Sequence, residues 1–256
     1  MLWASVSAPG PLNGTPAAPS TEARGAFRIV DRRRVVEAMQ GSELSMQGVA
    51  TATGAHLVVV DDSSPDGTGS VVAGLAADDP QVELLTRIDK EGLGRAYAAG
   101  FSRAIAFAPD VVVQMDADLS HDPDELPSLL APITAGEADL VVGSRRVSSG
   151  ATVGWSRWRN ALSQFGGLYA RVILRLGVAD PTGGFRAWST PTLIAATTTP
   201  TTAAGYGFQI EMLWRARRAG ARIAEVPITF RERASGASKM TVRIAVEAAL
   251  LVLLLK

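Results

Sequence analysis

The chain contains no cysteine, and only two of its 256 residues are histidine. The lack of cysteine excludes a disulfide scaffold, a thiolate metal site and a cysteine nucleophile. Basic and acidic residues balance at 25 each, so net charge does not indicate nucleic-acid binding. No apolar run reaches the roughly 18 to 20 residues that span a bilayer, and the N-terminal MLWASVSAPG lacks the charged and apolar regions of a signal peptide. We therefore expect a protein that is not secreted.

The first 55 residues differ in character from the rest of the chain. The stretch APGPLNGTPAAPSTEARG (8–25) is rich in proline, glycine and alanine and shows no periodicity, which is typical of disorder. No apolar strand is evident before His56, although a βαβ sheet normally has another strand beside its first acid-bearing one. We expect residues 1–55 to form an atypical, partly disordered segment.

From residue 56 onward, short apolar runs alternate with helical periodicity, which predicts an α/β domain with a mostly parallel central sheet flanked by helices. The predicted strands are residues 56–62, 82–87, 111–118, 139–146 and 222–233. The predicted helices begin near residue 70 and cover about 95–108, 122–133, 156–176 and 207–219. We assign 56–240 to this domain and 241–256 to an apolar C-terminal helix that packs in the core, lies at a membrane interface or begins a longer helix.

Charged residues follow three of the predicted strands. Asp61 and Asp62 end the first, Asp116 and Asp118 end the third, and Arg145 and Arg146 end the fourth. Ligands of open α/β sheets bind at the carboxyl ends of strands, so these side chains are expected to converge on one crevice.

The pair Asp116 and Asp118 offers hard oxygen ligands, which suit Mg²⁺ or Mn²⁺ holding a diphosphate. Their Cα atoms are about 6.6 Å apart in an extended chain, so one ion is served by both only if the chain bends there or a phosphate bridges the gap. The alternative is two solvated aspartates in a turn. For three loops the alternatives are a role in the ligand site or an ordinary turn or solvated loop. They are the turn SSPDGTG (63–69), the glycine loop KEGLG (90–94) and the basic loop FRERASGASK (230–239). His121 is expected to be a polar residue near the site.

Seven motifs together resemble, in order and spacing, the dolichol-phosphate or polyprenol-phosphate mannose synthases, which are inverting nucleotide-sugar transferases. The resemblance covers about residues 56–240 and rests on VVVDDSSPDGTG, KEGLGRAYAAGF, VVVQMDADLSHDP, LVVGSRR, DPTGGFRAW, GYGFQIEML and FRERASGASK. It implies a Rossmann-like fold of the GT-A type.

The resemblance also implies roles for individual residues. Val60, Asp61 and Asp62 would hold the nucleotide base and ribose, and Asp116, Ala117 and Asp118 would bind the diphosphate. The metal would bind Asp116 and Asp118, with Ser120 adding an oxygen. Arg145 would face the donor, Arg233 and Lys239 would close over the phosphates, and Gln209 and Glu211 would lie on the acceptor side. Asp118, Arg145, Arg233 and Lys239 are the candidate catalytic residues.

The implied reaction transfers mannose from GDP-mannose to a polyprenyl monophosphate, with Mg²⁺ or Mn²⁺ as cofactor. A lipid acceptor implies a peripheral protein at the cytoplasmic face of a membrane, attached through its own surface or through a membrane-embedded partner subunit, with no role for nucleic acid. The apolar residues 248–255 and the helix around 162–176, with Arg171 and Arg175, are candidates for the interface, and ordinary helix packing is the alternative.

The N-terminus departs from this family. Its members begin with a strand that carries a Pro-Thr-Tyr-Asn-Glu motif, and residues 1–55 contain no such motif. A shifted reading frame upstream of about residue 55 is one hypothesis for this difference. The missing motif favours one functional alternative, a catalytically impaired relative that lacks its first nucleotide-binding strand. A second alternative is transfer of glucose or another hexose to the same lipid, because sugar specificity depends on few residues.

Overall fold

A computed structural model describes most of the chain from residue 56 onward. The described residues are 2–6, 56–64, 67–88, 92–116, 118, 120–203, 205, 207–232 and 242–256, and for 2–6 and 242–246 only the backbone is described.

Nine strands are found in these residues. They are β1 (Leu2–Val6), β2 (His56–Asp61), β3 (Val82–Thr86), β4 (Val111–Met115), β5 (Leu140–Ser144), β6 (Ala151–Val153), β7 (Arg186–Ser189), β8 (Ile223–Pro227) and β9 (Thr229–Arg231). Seven form the main sheet in the order β3-β2-β1-β4-β7-β5-β8, and β6 and β9 form a separate two-stranded ribbon.

Seven α-helices surround the strands in the described part of the chain. They are α1 (Thr68–Asp78), α2 (Leu93–Ala106), α3 (Leu126–Thr134), α4 (Arg157–Leu174), α5 (Thr190–Thr197), α6 (Gly207–Arg218) and α7 (Val242–Leu254). A short 3₁₀ turn, Pro123–Glu125, precedes α3, and the side chain of Asp122 caps it by accepting the N–H of Asp124.

The main sheet has the predicted common direction with two exceptions. β2 is parallel to β3, and β5 is parallel to β8, while β1 and β7 run antiparallel to both of their neighbours. Five strands therefore point the same way, and β2, β4 and β5 end at one edge of the sheet. This edge carries the predicted site.

β1 occupies the centre of the sheet, between β2 and β4. Its backbone pairs Leu2 with Val59 on one side and with Met115 on the other. No strand was expected in the N-terminal segment. This expectation is wrong, because the five-residue strand β1 pairs with β2. It enters antiparallel, so its first residue lies at the edge where β2 and β4 end.

Helices cover both faces of the sheet because the strands are apolar on both sides. On β4, Val112 belongs to the main core cluster, whereas Val111 and Val113 face a second cluster formed with α3. The main cluster unites α2, α4, α5, α6 and α7, and α1 packs on β2 and β3 through a third cluster. The C-terminal helix contributes Leu251 and Val252 to the main core, so one of its faces is packed.

Three local predictions need correction. The third strand ends at Met115 rather than at Asp118. The strand expected over 222–233 is divided into β8 and β9, because the chain leaves the main sheet at Ile228 to pair with β6. The strand β7 and the helix α5 were not predicted, since RAWS (186–189) is too short and mixed to show a strand period.

Candidate active site

The DAD motif lies at the end of β4, where the chain bends out of the sheet. The backbone N–H of Ser120 donates to Asp118 Oδ1 at 3.1 Å, which closes a tight turn. The carbonyl of Ser120 in turn accepts the N–H of Arg231 from β9 at 2.9 Å. Asp118 therefore lies in a local turn, and β9 contacts that turn through the N–H of Arg231. That Asp116 and Asp118 share one ion stays a prediction.

Asp116 is held by contacts from two other parts of the chain. The hydroxyl of Tyr97, on α2, donates to Asp116 Oδ1 at 2.9 Å, and the Asp116 N–H donates to His121 Nδ1 at 3.2 Å. Burial, reinforced by Asp116, raises the pKa of Tyr97 well above its ordinary value, so the hydroxyl stays protonated. Burial lowers the pKa of His121, although Asp116 opposes the shift. The ring of His121 is therefore neutral.

Gly184 leaves room beside the second oxygen of this carboxylate. An ideal Cβ on Gly184 would lie 3.4 Å from Asp116 Oδ2, 3.6 Å from His121 Cε1 and 3.8 Å from the Tyr97 hydroxyl. A side chain there would fill the space that all three groups border.

A buried polar network forms the floor of the site. The amide of Gln114 donates to Gly184 O at 2.9 Å and to Gln209 Oε1 at 3.0 Å, and the indole N–H of Trp188 donates to Gln114 Oε1 at 3.0 Å. Gln209, predicted on the acceptor side, thus lies behind Asp116 rather than at a surface. Asn and Gln amides can satisfy such a network because they both donate and accept.

Arg186 completes the floor as a buried cation. Its guanidinium donates to the carbonyls of Gly183, Gln209 and Pro181, each at 2.9 Å. Burial lowers its pKa to about 10, so it remains charged at neutral pH. The residue ties the loop before β7 to the start of α6 and places a positive charge behind the site.

Arg145 is fixed at the end of β5 by a two-point ion pair. Its Nε and Nη2 donate to the two oxygens of Asp180, both at 2.7 Å, and its own N–H donates to Asp180 Oδ2 at 3.0 Å. The pKa of Asp180 is lowered: burial alone would raise it, but the charge and hydrogen bonds of Arg145 outweigh burial. The Arg145 guanidinium lies over the rings of Trp155 and Phe230, at 5.5 and 5.4 Å.

Beside Arg145, at the start of α4, lie Arg146, which the sequence placed at this edge, and Arg159, which it did not. Arg146 donates to Asn160 Oδ1 at 2.6 Å and to the Ser163 hydroxyl at 3.2 Å. Arg159 lies 4.2 Å from the Trp155 ring centre and pairs with Glu232. The only signal in the sequence was the repeated basic residues of GSRR and SRWR.

Asp61 and Asp62 follow β2, which lies two strand positions from β4 and its acidic pair, because β1 lies between the two strands. Adjacent strands are about 4.8 Å apart, so the separation of β2 from β4 is roughly 10 Å. Asp61 accepts the N–H of Ser64 at 3.3 Å and borders Gly69 at the start of α1. Asp62 pairs with Arg87 at 2.8 Å. Val60 is buried in the core beneath them.

Glu211 lies away from the acidic pair. Its carboxylate accepts the N–H groups of Thr202 and Ala203 at 2.9 to 3.1 Å and pairs with Arg215 at 2.7 Å. These contacts hold the loop before α6, and the acceptor-side role of Glu211 stays a prediction. Ala117, Arg233 and Lys239 lie outside the described residues.

The metal prediction depends on the carboxylates of Asp116 and Asp118, with Ser120 as the predicted further oxygen donor. Among the described residues, no group of three or more histidines or acids could hold a metal ion. Two carboxylates with room beside Asp116 Oδ2 fit a divalent ion that takes its remaining ligands from a diphosphate and water. The two carboxylates therefore suit an ion that binds together with its diphosphate, and not an ion that is enclosed by protein ligands alone.

The family model described as glycosyl transferase family 2 matches residues 43–190. The chain belongs to glycosyl transferase family 2. It is therefore an enzyme of the glycosyltransferase class, and the predicted GT-A type of α/β fold is confirmed.

Two curated relatives of this glycosyltransferase are similar over most of their length. The chain is 49% identical over 192 residues to the undecaprenyl-phosphate mannosyltransferase of Micrococcus luteus, with 75% of this chain and 78% of the relative covered. It is 45% identical over 187 residues to the polyprenol monophosphomannose synthase of Mycolicibacterium smegmatis, with 73% and 70% covered. The predicted resemblance to the polyprenol-phosphate mannose synthases is confirmed.

Solved structures support the fold of the glycosyltransferase. Glucosyl-3-phosphoglycerate synthase from Mycobacterium tuberculosis, in complex with phosphoglyceric acid, matches with a TM-score of 0.55 and 21% identity, covering 77% of this chain and 68% of that one. The complex of that synthase with Mn²⁺, uridine-diphosphate-glucose and phosphoglyceric acid has the same TM-score at 20% identity, covering 76% and 67%. At this identity the likeness shows the fold alone.

Proposed function

We propose that the enzyme transfers mannose from GDP-mannose to a polyprenyl monophosphate, with inversion at the anomeric carbon and with a divalent metal ion. One observation carries the proposal. Asp116 and Asp118 share one edge of the sheet with Arg145 and Arg146, in a chain that is 45–49% identical to two polyprenyl-phosphate mannosyltransferases. Acidic and basic groups at one edge suit a metal-bound diphosphate beside an anionic acceptor.

Asp116 and Asp118 would hold Mg²⁺ or Mn²⁺, with Ser120 as a further oxygen donor. The ion would neutralise the charge that develops on the nucleoside diphosphate as it leaves. In this proposal both carboxylates face the ion at the carboxyl end of β4. In this proposal Val60, Asp61 and Asp62 hold the nucleoside, and Ala117, Arg233 and Lys239 complete the diphosphate site.

The chemistry needs little help from a general base. A phosphate monoester is ionised at neutral pH, so one of its oxygens attacks the anomeric carbon directly. The new bond joins that carbon to the acceptor phosphate, the bond to the diphosphate oxygen breaks, and GDP leaves with the electron pair. His121 is unsuited to a base role, because its Nδ1 already accepts the Asp116 N–H. The residues around the site act by orientation and charge.

The basic group at the start of α4 suits the acceptor phosphate. The group consists of Arg145, Arg146 and Arg159. Arg145 and Arg159 both lie over the Trp155 ring, and Arg146 contacts Asn160 of α4. Arginine offers planar, two-point contacts to phosphate. Burial and the adjacent Arg145 lower the pKa of Arg146, as expected where cations are gathered.

The lipid chain of the acceptor requires an apolar surface near this group. α4 begins at the basic group and exposes an apolar face along its length. The exposed residues are Trp158 (76%), Leu162 (41%), Phe165 (76%), Leu168 (53%) and Val172 (62%). α7 packs against α4 and exposes Leu250, Leu253 and Leu254. We propose that this apolar surface of α4 and α7 contacts the membrane, alone or with a partner subunit.

The described helices contain none that is long and apolar enough to cross a bilayer. Contact through the apolar surface is consistent with peripheral attachment. In this proposal Arg171, on α4, reaches lipid headgroups.

One observation favours a second candidate, a catalytically impaired relative. β1 enters the centre of the sheet antiparallel, so the edge between Asp61 and Asp116 receives the beginning of a strand instead of its end. The Pro-Thr-Tyr-Asn-Glu motif expected at that position is missing from the sequence. Weak donor binding would follow.

A panel of donors tests the proposal. Purified protein is incubated with a short polyprenyl phosphate, Mn²⁺ and GDP-mannose, GDP-glucose or UDP-glucose, and the lipid product is identified by mass spectrometry. A hexosyl phospholipid from GDP-mannose alone supports the proposal. Product from a glucose donor alone would assign the enzyme to glucosyl transfer, and no product from any donor would favour the impaired relative.

A further inference from the structure

Asp116 is held in place by two other side chains. Its main chain is bound by His121 from the following turn, and its Oδ1 is bound by Tyr97 from α2. The remaining oxygen, Oδ2, borders the space above Gly184. Oδ2 is therefore the carboxylate oxygen that a ligand reaches without sharing it with the Tyr97 hydroxyl.

The hydrogen bond of His121 defines what the ring can do. Because Nδ1 accepts the Asp116 N–H, the ring proton of the neutral imidazole is on Nε2. Nε2 is buried and has no acceptor among the described residues. A protonated Nε2 cannot bind a metal ion, so His121 serves Asp116 and is not a ligand.

Both supporting side chains are held rigidly by aromatic packing. The Tyr97 ring stacks on Phe208 at 5.1 Å with an interplanar angle of 10°. His121 stacks on Phe185 at 5.1 Å and meets Phe230 edge-on at 5.2 Å. Neither ring can swing away from Asp116 without disturbing the core, which is the property required of a positioning group.

We infer that Tyr97 and His121 are positioning residues that fix Asp116 so that Oδ2 faces the metal–diphosphate complex of the donor. The inference rests on the proposed function of Asp116. Side chains that orient a metal ligand typically change metal affinity 10- to 100-fold when they are removed.

The hydroxyl of Tyr97 can be removed without changing the ring. In Tyr97→Phe we expect the affinity for Mn²⁺ in the presence of GDP, measured by electron paramagnetic resonance titration, to fall by about tenfold or more. Tyr169→Phe is the matched control, because the Tyr169 hydroxyl donates to the carbonyl of Ala249, away from Asp116. The control is expected to bind Mn²⁺–GDP as the wild type does.

Two substitutions of His121 separate support of Asp116 from simple space-filling. His121→Asn keeps an acceptor oxygen close to the position of Nδ1, whereas His121→Phe keeps the ring shape and loses the acceptor. We expect the asparagine variant to retain Mn²⁺–GDP affinity within about threefold and the phenylalanine variant to lose about tenfold or more. Circular dichroism of each variant verifies that the fold is intact.

The outcomes distinguish this inference from the function on which it rests. Wild-type binding of Mn²⁺–GDP, with equal binding by Tyr97→Phe and His121→Phe, would overturn the positioning role alone. Equal losses in His121→Asn and His121→Phe would overturn the role of Nδ1. A folded wild type that binds no Mn²⁺ with GDP would contradict both the positioning role and the proposed metal site.

Discussion

At the scale of single residues, the site depends on buried charges that are individually paired. The Arg145–Asp180 pair is the clearest case, since both side chains are almost completely buried, at 7% and 2% exposed. Pairing at this depth fixes the guanidinium of Arg145 beside Trp155 and Phe230. Removing one partner leaves the other as an unpaired buried charge.

Asp180→Asn is therefore expected to destabilise the protein by about 3–5 kcal/mol. The loss is measured as the change in the free energy of unfolding in urea. Asp139→Asn is the matched control, because Asp139 pairs with Arg222 at the surface, where such pairs contribute about 0–1 kcal/mol. Equal, small effects of the two substitutions would contradict the buried pairing.

Gly184 provides a second prediction at this scale. A methyl group in Gly184→Ala would contact Asp116 Oδ2, His121 and Tyr97 at ordinary van der Waals distances, so the fold is expected to tolerate it. Because the methyl fills the space beside Oδ2, we expect kcat/KM for the donor to fall by about tenfold, or roughly 1.4 kcal/mol in transition-state stabilisation. Steady-state kinetics measure this.

Gly74→Ala is the control for Gly184→Ala. A Cβ at Gly74, in α1, meets no other atom within 4 Å. It is expected to leave kcat/KM unchanged and to stabilise the helix slightly. Full activity in Gly184→Ala would show that the space above Gly184 is not used by a ligand.

At the scale of secondary-structure elements, the central position of β1 in the sheet can be tested directly. Its backbone pairs with β2 and β4 along almost its full length. A proline in a central strand removes a ladder hydrogen bond and clashes with its neighbour. Ala4→Pro is expected to lower the free energy of unfolding by about 2–3 kcal/mol, measured by denaturant unfolding. Unchanged stability would show that residues 2–6 do not complete the sheet.

The strands that end in charged residues could be predicted from the sequence, and the strands that run antiparallel to them could not. VVVQM before Asp116 and LVVGS before Arg145 are apolar runs followed at once by charge, so both the strands and the edge they share are visible in the pattern. β7 is a mixed four-residue segment, RAWS, that is placed by pairing with β4 and β5. Short strands of this kind depend on tertiary contacts rather than on a local period.

The contacts of the positioning side chains could not be predicted from the sequence either. Tyr97 occupies a helix face as an ordinary aromatic core residue would, and only the fold shows that its hydroxyl reaches Asp116. His121 was expected near the site, but its contact with the Asp116 N–H depends on the bend after Met115. Arg159 is 14 residues from Arg145 and approaches it through the Trp155 ring. Contacts of this kind require the three-dimensional structure.

At the scale of the whole molecule, α4 leads from the basic group of the site to an exposed apolar surface. Trp158 and Phe165 lie on α4, close to its N-terminal basic group, and each is 76% exposed. Aromatic side chains of this size contribute strongly when they enter a bilayer interface. The arrangement would bring a lipid-linked phosphate to the site without extracting the lipid from the membrane.

The double variant Trp158→Ser, Phe165→Ser is expected to bind vesicles of phosphatidylcholine and phosphatidylglycerol at least tenfold more weakly than the wild type, in a sedimentation assay. Two aromatic side chains that enter the bilayer interface contribute several kcal/mol of partitioning free energy, which the double variant loses. Val71→Ser, an exposed position on α1, is expected to leave binding unchanged. Equal vesicle binding by all three proteins would exclude the α4 face as the membrane contact.

The central claim is that Asp116 and Asp118 support glycosyl transfer to a lipid phosphate. The most direct measurement is transfer of radiolabelled mannose from GDP-mannose to a short polyprenyl phosphate, with and without Mn²⁺, by the wild type and by Asp118→Asn. We expect product that requires the metal and falls by at least about a hundredfold in the variant, comparable with the loss of a metal-held transition-state contact. Equal product from both proteins, or product independent of the metal, would contradict the account.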